Sequence, residues 1–220
     1  MTSAFSPDSK FSQLLSLLAD VVIVSLALFI TTIPVVTFGA GLSAAYYITG
    51  QLVRDEGARR WRTFWAVFAA SFRVATPGWL LVCAALGLGG YEFALLNSAQ
   101  STWLFADGIY FDALRIGLLM ACVIVGAFSI WFFALVGHAS RLARQRLTFG
   151  GACMCALNLA FRHLFYTLVL LALWGIVIGA SFVWPQLGVR LIFFYIVFIP
   201  GFIMYLSSFV LSPRILSALP

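Results

Sequence analysis

The chain has 220 residues, of which 63% are apolar and only 9% charged, and it carries a net charge of +6. Soluble domains carry about a quarter charged residues, so this composition excludes an ordinary water-facing surface and calls for one that faces lipid. Runs such as "TLVLLALWGIVIGASFVW" are continuous, whereas membrane β-barrel strands alternate over about ten residues. The chain therefore reads as all-α: one polytopic helical membrane domain over residues 1–220.

The first thirteen residues are polar and mixed, with Asp8 and Lys10, and no small-residue cleavage site follows them. The first apolar run is read as an anchor and not as a cleaved leader. It covers roughly Leu14 to Ile33 and includes Asp20. Pro34 stops it, because proline lacks an N–H and its ring clashes with the preceding turn. Val35, Val36 and Thr37 favour extended backbone, and Gly39 and Gly41 permit a tight reversal. Thr37 stands where it can cap a second helix, Phe38 to Arg54. The break at Pro34, Gly39 and Gly41 is read as a hairpin; the competing reading is one long kinked helix over 14–53. The second span, about 17 residues, is at the lower limit for crossing and ends on Arg54, Asp55 and Glu56.

In "ARRWRTFWAVFAASFR", Trp61, Phe64, Trp65, Phe68 and Phe72 recur at helical spacing and share one face. Arg59, Arg60, Arg62 and Arg73 flank them. This predicts an interfacial helix, with tryptophan at the membrane boundary and arginine against phosphates. A third span follows over Pro77 to Leu96, then a connection whose only charges are Asp107 and Asp112, then a fourth span over Ala113 to Gly137. Arg141, Arg144 and Arg146 precede a second amphipathic segment, with Phe149, Cys153, Leu157 and Phe161 on one face. Span five is placed at Leu164 to Trp184 and span six at Leu191 to Leu211. The total is six spans, or five if 14–53 is one kinked helix, plus two cytosolic interfacial helices.

The stretches Arg54–Arg73 and His138–Arg162 hold nine arginines, and the connection between spans three and four holds none. The positive-inside rule makes the arginine-rich stretches cytosolic, and six spans then put both termini in the cytosol. Residues 38–97 and 113–184 form a weak repeat: a helix ending in a basic cluster, an aromatic amphipathic helix, a span. Parallel repeats occur in transporters. Any basic, amphipathic cytosolic loop would look similar. The four cysteines, Cys83, Cys122, Cys153 and Cys155, are expected as free thiols.

Charges inside spans are costly and so informative. Asp20 is either an ion or proton site or an acid paired with an arginine near the cytosolic boundary. Arg54, Asp55 and Glu56 form a self-neutralising helix end or a contact for a partner's cytosolic loops. Glu92 and Arg115, near the outer ends of their spans, can pair or line a vestibule; Asp112 offers Arg115 an alternative partner at i−3. Gly175 and Gly179 form a GxxxG pattern that allows close helix approach, within the chain or between chains. Cys153 and Cys155 point about 200° apart on a helix, so with His138 and His163 they make no plausible zinc set. No metal or cofactor is expected. Two histidines and seven acids leave few candidates for acid–base catalysis, and the chain is not expected to be an enzyme. Its basic residues cluster at membrane boundaries, so they do not argue for nucleic acid.

The stretch "IPVVTFGAGLSAAYYITGQLVRDEG", the aromatic segment after it and "FRVAT" resemble the YesL-like family of bacterial integral membrane proteins of unknown function. "LARQRLTFGGACMCALNLAFRHLFYTLVLL" and "SPRIL" are similar to that family's second half, so the resemblance covers nearly the whole chain. "DEGARRW" departs from it, where members often carry a more acidic or lysine-bearing loop. The resemblance implies a multi-pass protein of the bacterial cytoplasmic membrane and an accessory or regulatory role in carbohydrate ABC-type uptake. It offers no catalytic residues to carry over. The implied partners are the lipid bilayer and either ABC-transporter permease subunits or a second copy of the chain. Two alternatives stand beside it. One is a small solute transporter or channel, for which the spans supply Asp20, Tyr46, Tyr47, Thr49, Glu92 and Arg115. The other is a lipid-binding, membrane-organising protein acting through arginine-rich interfacial helices.

Overall fold

The computed structural model describes residues 10–56, 59–102, 108–142, 148–183 and 197–218, and its regular structure is entirely helical among them. Helix α1, Lys10–Thr32, contains neither glycine nor proline and stops just before Pro34. A single 3-10 turn, Val35–Thr37, leads straight into α2, Phe38–Val53. The two helices pack on each other, and a Cβ on Gly41 would collide with the Thr31 side chain. They form a hairpin and not one kinked helix. Its chemistry differs from the expectation in two respects. Thr37 does not cap α2; its hydroxyl donates to the carbonyls of Thr31 (2.7 Å) and Pro34 (2.9 Å), fastening the turn to the end of α1. Gly39 and Gly41 are not in the reversal but inside α2, where the missing side chain lets a neighbour approach. A Cβ on Gly39 would lie 2.8 Å from the Ala75 carbonyl oxygen.

The far end of α2 explains its stop on charged residues. The Asp55 N–H bonds to the Leu52 carbonyl (3.2 Å) and the Glu56 N–H to that of Gln51 (3.0 Å). That pair of bonds is a Schellman closure. The residue it turns on, Asp55, has φ 53°, a left-handed conformation normally given to glycine because a Cβ crowds the next carbonyl.

Helix α3 runs unbroken over Arg60–Thr102, 43 residues with Pro77 inside it. The separate interfacial helix and third span are therefore one element. Proline forfeits one backbone bond, but packing on either side holds the helix together. Ala75 is fully buried, Gly78 lies against the Phe132 ring, and the Trp79 indole N–H donates to the Val35 carbonyl at 2.8 Å. The aromatic stripe is corrected with it: Phe64 is buried and Trp65 and Phe68 pack on the core, while Trp61 and Phe72 remain exposed. At 1.5 Å per residue the helix extends about 65 Å, twice the roughly 30 Å of a bilayer's hydrocarbon.

Helix α4 spans Gly108–Leu142, α5 Phe149–Arg162, α6 Leu164–Val183 and α7 Ile199–Ala218. The second amphipathic segment is a helix of its own, bent by 97° from α6 at His163. Thr148 opens it by accepting from the Gly151 N–H at 3.4 Å. Its buried face is Ala152, Ala156, Leu159 and Ala160, so Leu157 and Phe161 of the predicted apolar face point outward. Helix α7 continues through Pro213 to Ala218, past the expected end at Leu211. The expected turn over residues 185–190, the start of span six, Asp107, Arg144 and Arg146 lie outside the described residues.

Among the described residues α1, α3 and α4 are long and apolar enough to cross a membrane, and the bent α5–α6 pair would make a fourth span. The second expected span, α2, has only 16 residues, and 12 of them are buried. It is the axis around which α1, α3, α4 and α7 pack. Its small residues make this possible: a Cβ on Gly137 of α4 would strike the Ser43 backbone. Trp131, Phe132 and Phe133 of α4 and Phe64 of α3 fill the space around it.

Two outcomes test this packing. Gly137→Ala should destabilise the protein by about 1–3 kcal/mol through forced separation of α2 and α4, read as a lower thermal midpoint in detergent. Gly175→Ala, where a Cβ meets no described atom within 4 Å, should leave the midpoint unchanged. Asp55→Val should cost about 1–2 kcal/mol at the left-handed position, while Asp55→Gly should fold normally.

Candidate functional site

The polar residues of this apolar interior gather along one side of α2. Thr49 donates back to the Ala45 carbonyl (2.8 Å) and shares a 2.6 Å hydrogen bond with Ser208 of α7. The Ser208 hydroxyl also reaches the Tyr46 carbonyl at 3.5 Å. One turn further on, Arg54 donates to the Ser212 hydroxyl and pairs with Glu56 at 2.9 Å. Tyr46, Gly50 and Arg54 follow at i, i+4 and i+8, and Ser208 and Ser212 at i and i+4. The stripe is thus helical in period on both elements.

His138 of α4 closes the cluster. It is 1% exposed, and its Nδ1 lies 2.9 Å from the Ala134 carbonyl. A carbonyl can only accept, so Nδ1 carries the proton and Nε2 is left as an acceptor. That Nε2 is buried and has no partner. Gly50 makes the room for it, since a Cβ there would stand 2.8 Å from Nε2. Tyr47 meets the imidazole edge-on, with ring centroids 5.6 Å apart, and its hydroxyl accepts from the Gln51 amide at 3.1 Å. The site is a polar seam between α2, α4 and α7 that ends at the guanidinium of Arg54.

A second polar knot ties the α5–α6 bend to the core. The Trp131 indole N–H donates to the Thr167 hydroxyl (2.8 Å), and that hydroxyl donates to the His163 carbonyl (3.0 Å). The Arg214 guanidinium lies 3.5 Å from the centroid of Tyr166, joining α7 to α6.

The expected site residues fall in separate places. Asp20 is paired with Arg60 at 3.0 Å, with both side chains at most one-fifth exposed, so the geometry supports its structural alternative. Arg60 also donates to the Glu56 carbonyl at 2.9 Å. Around this pair Asp20, Ile23, Arg59, Trp61 and Arg62 line a surface cleft. Asp55 is exposed and serves the helix closure. Glu92 is exposed beside Leu95 and Leu118. Arg115 bonds Asn97 at 2.8 Å and lies 3.6 Å from Asp112, the alternative partner. Gly175 and Gly179 meet no described atom that a Cβ would touch. All four cysteines are free. Among the described residues no three histidine, cysteine or acidic side chains come together as a metal set.

His138, Gln51, Ser208 and Ser212 were not singled out as a site from sequence. Their signal was polar spacing of three to four residues inside apolar runs, which marks a buried helix face. What it could not show was which helices bring those faces together.

No protein-family model, curated protein or solved structure matches the chain. Fold and site together define an all-helical chain whose long apolar helices are compatible with a multi-pass membrane protein.

The Asp20–Arg60 pair can be weighed directly. In a double-mutant cycle of Asp20→Asn and Arg60→Gln, thermal unfolding should show a coupling of about 1 kcal/mol. Additive losses would mean the two side chains do not support one another.

Proposed function

We propose that the chain is a non-enzymatic, multi-pass protein of a bacterial cytoplasmic membrane that works through its surfaces, as an accessory or regulatory component of a carbohydrate ABC-type uptake system. The observation that carries this is the filled interior. Trp131, Phe64, Phe132, Phe133 and Ile48 are all almost fully buried around α2. A sugar path needs several polar side chains placed along a cavity, whereas rings fill most of the space around α2 and the polar groups on its α7 side bond to one another. What is left for function is outside: the face of α6 at Gly175, where a Cβ would meet no described atom, and the basic start of α3. The resemblance to the YesL-like family supplies the link to carbohydrate uptake. The arginine-rich stretches and both termini are cytosolic in this reading.

One observation favours transport by the chain itself: the seam of Thr49, His138, Ser208, Ser212 and Arg54. Another favours lipid binding: the cleft that holds Arg59 and Arg62 beside Trp61. The accessory reading predicts that affinity purification from native membranes in mild detergent retains ABC permease subunits. A lone monomer, recovered where other transporter complexes survive, would overturn it. Sugar uptake by the purified chain in liposomes, lost in a folded His138→Leu variant, would establish the transport reading instead.

A further inference from the structure

We propose that the cleft between α1 and the start of α3 binds a phosphate monoester, carried either by a phosphatidate lipid or by a soluble ester. The inference deepens the lipid-binding reading of this cleft and rests on it for the lipid source; it does not rest on the accessory role. The cleft is about 560 Å³, and Asp20, Ile23, Arg59, Arg60, Trp61 and Arg62 line it.

The charges in the cleft do not cancel. Asp20 is the one acid among the lining residues, and its carboxylate already accepts from Arg60 at 3.0 Å. Arg60 is held from a second side, because it also donates to the Glu56 carbonyl at 2.9 Å. Of the two acids just before α3, Glu56 pairs with Arg54 at 2.9 Å and Asp55 does not line the cleft. Arg59 and Arg62 are exposed, and among the described residues neither guanidinium makes an ion pair. Two positive charges therefore remain, three residues apart in one cleft.

Those two charges select the ligand. A guanidinium offers a planar fork of donors that fits phosphate oxygens. A phosphate monoester carries about 1.5 to 2 negative charges at neutral pH, whereas a diester carries one. The monoester can therefore answer both arginines, and a diester would leave one of them without a counter-charge. Beside the arginines stand Ile23 and Trp61, the latter 46% exposed and packed edge-on against Trp65 at 5.7 Å. They give the carbon body of the ester an apolar surface next to its phosphate. The Asp20–Arg60 pair joins α1 to α3, so the cleft is assembled before any ligand arrives. Arg59 also holds φ 65°. A residue with a Cβ adopts that conformation at a cost, and such strain collects at ligand sites.

Native mass spectrometry of the full chain in detergent counts bound lipids and yields their Kd. One phosphatidate per chain should bind about tenfold more tightly than phosphatidylglycerol, a diester. Arg59→Gln and Arg62→Gln should each weaken phosphatidate about tenfold, the loss of one charge-assisted hydrogen bond, with the thermal midpoint unchanged. Arg73→Gln removes an exposed arginine of the same helix outside the cleft and should leave the affinity unaltered. Equal affinity for the two lipids, or an equal loss in Arg73→Gln, would overturn the site and leave only attraction by net charge. Glycerol 3-phosphate separates the sources. Phosphatidate that millimolar glycerol 3-phosphate does not displace would assign the lipid. Glycerol 3-phosphate held through Arg59 and Arg62, with phosphatidate unbound, would keep the phosphate site and end the lipid reading. Binding of neither would overturn the proposal. No other protein is needed, so the outcome is separate from co-purification of transporter subunits.

Discussion

Everything in this bundle depends on how closely four helices can approach the backbone of α2. A helix with large side chains would hold its neighbours at 8–10 Å; one built from glycine, alanine and serine lets them in further. Gly39, Gly41 and Gly137 each occupy a place where a single added carbon would meet a neighbour's atoms. In lipid, helices gain little from the hydrophobic effect on associating, because the tails are as apolar as the side chains. Close van der Waals packing and buried hydrogen bonds have to do more of the holding. Here α2 contributes the small faces, and α3 and α4 contribute the rings that fill the remaining space.

The same constraint explains where the polar groups lie. Inside an apolar bundle a hydroxyl either returns its proton to its own helix or finds a group on the next one. Thr31, Ser43, Thr49 and Thr167 all bond carbonyls within a turn or two of themselves. Thr49, Ser25 and Arg54 also cross between helices: to Ser208, to the Gly201 N–H and to Ser212. These cross-links record which faces meet, and they run from α7 to α1 and α2. His138 Nε2 and the hydroxyls of Thr76 and Ser207 are exceptions, buried without a partner. The first lies in the polar seam, where the interior departs from simple packing.

Two aromatic, amphipathic segments with basic flanks behave differently although their sequences read alike. In the first, the stripe of Phe64, Trp65 and Phe68 turns toward the core and the helix continues through Pro77 into its long apolar stretch. In the second, alanines take the buried face, Phe161 and Met154 point outward, and the chain bends sharply at His163. Periodicity identifies a stripe but does not say what covers it. Protein and lipid are equally acceptable neighbours for a ring. The choice is made by the helix that happens to lie opposite, and for the first stripe that is the bundle around α2.

Composition alone pointed to long apolar helices compatible with a multi-pass membrane protein, since so few charges leave little to clothe a soluble surface. Proline at 34 and the apolar runs around it determined the first turn, and helical spacing marked the stripes. Tertiary structure decided the rest. It turned two hairpin glycines into contact points inside α2, joined two expected helices across a proline, and gave Asp20 to Arg60. It also drew Thr49, His138, Ser208 and Ser212 from three helices to one seam. Local sequence sets backbone preference and which face is greasy. Which greasy faces meet, and which polar atoms they enclose, depends on contacts between residues from 36 to 176 positions apart, and no local pattern encodes those.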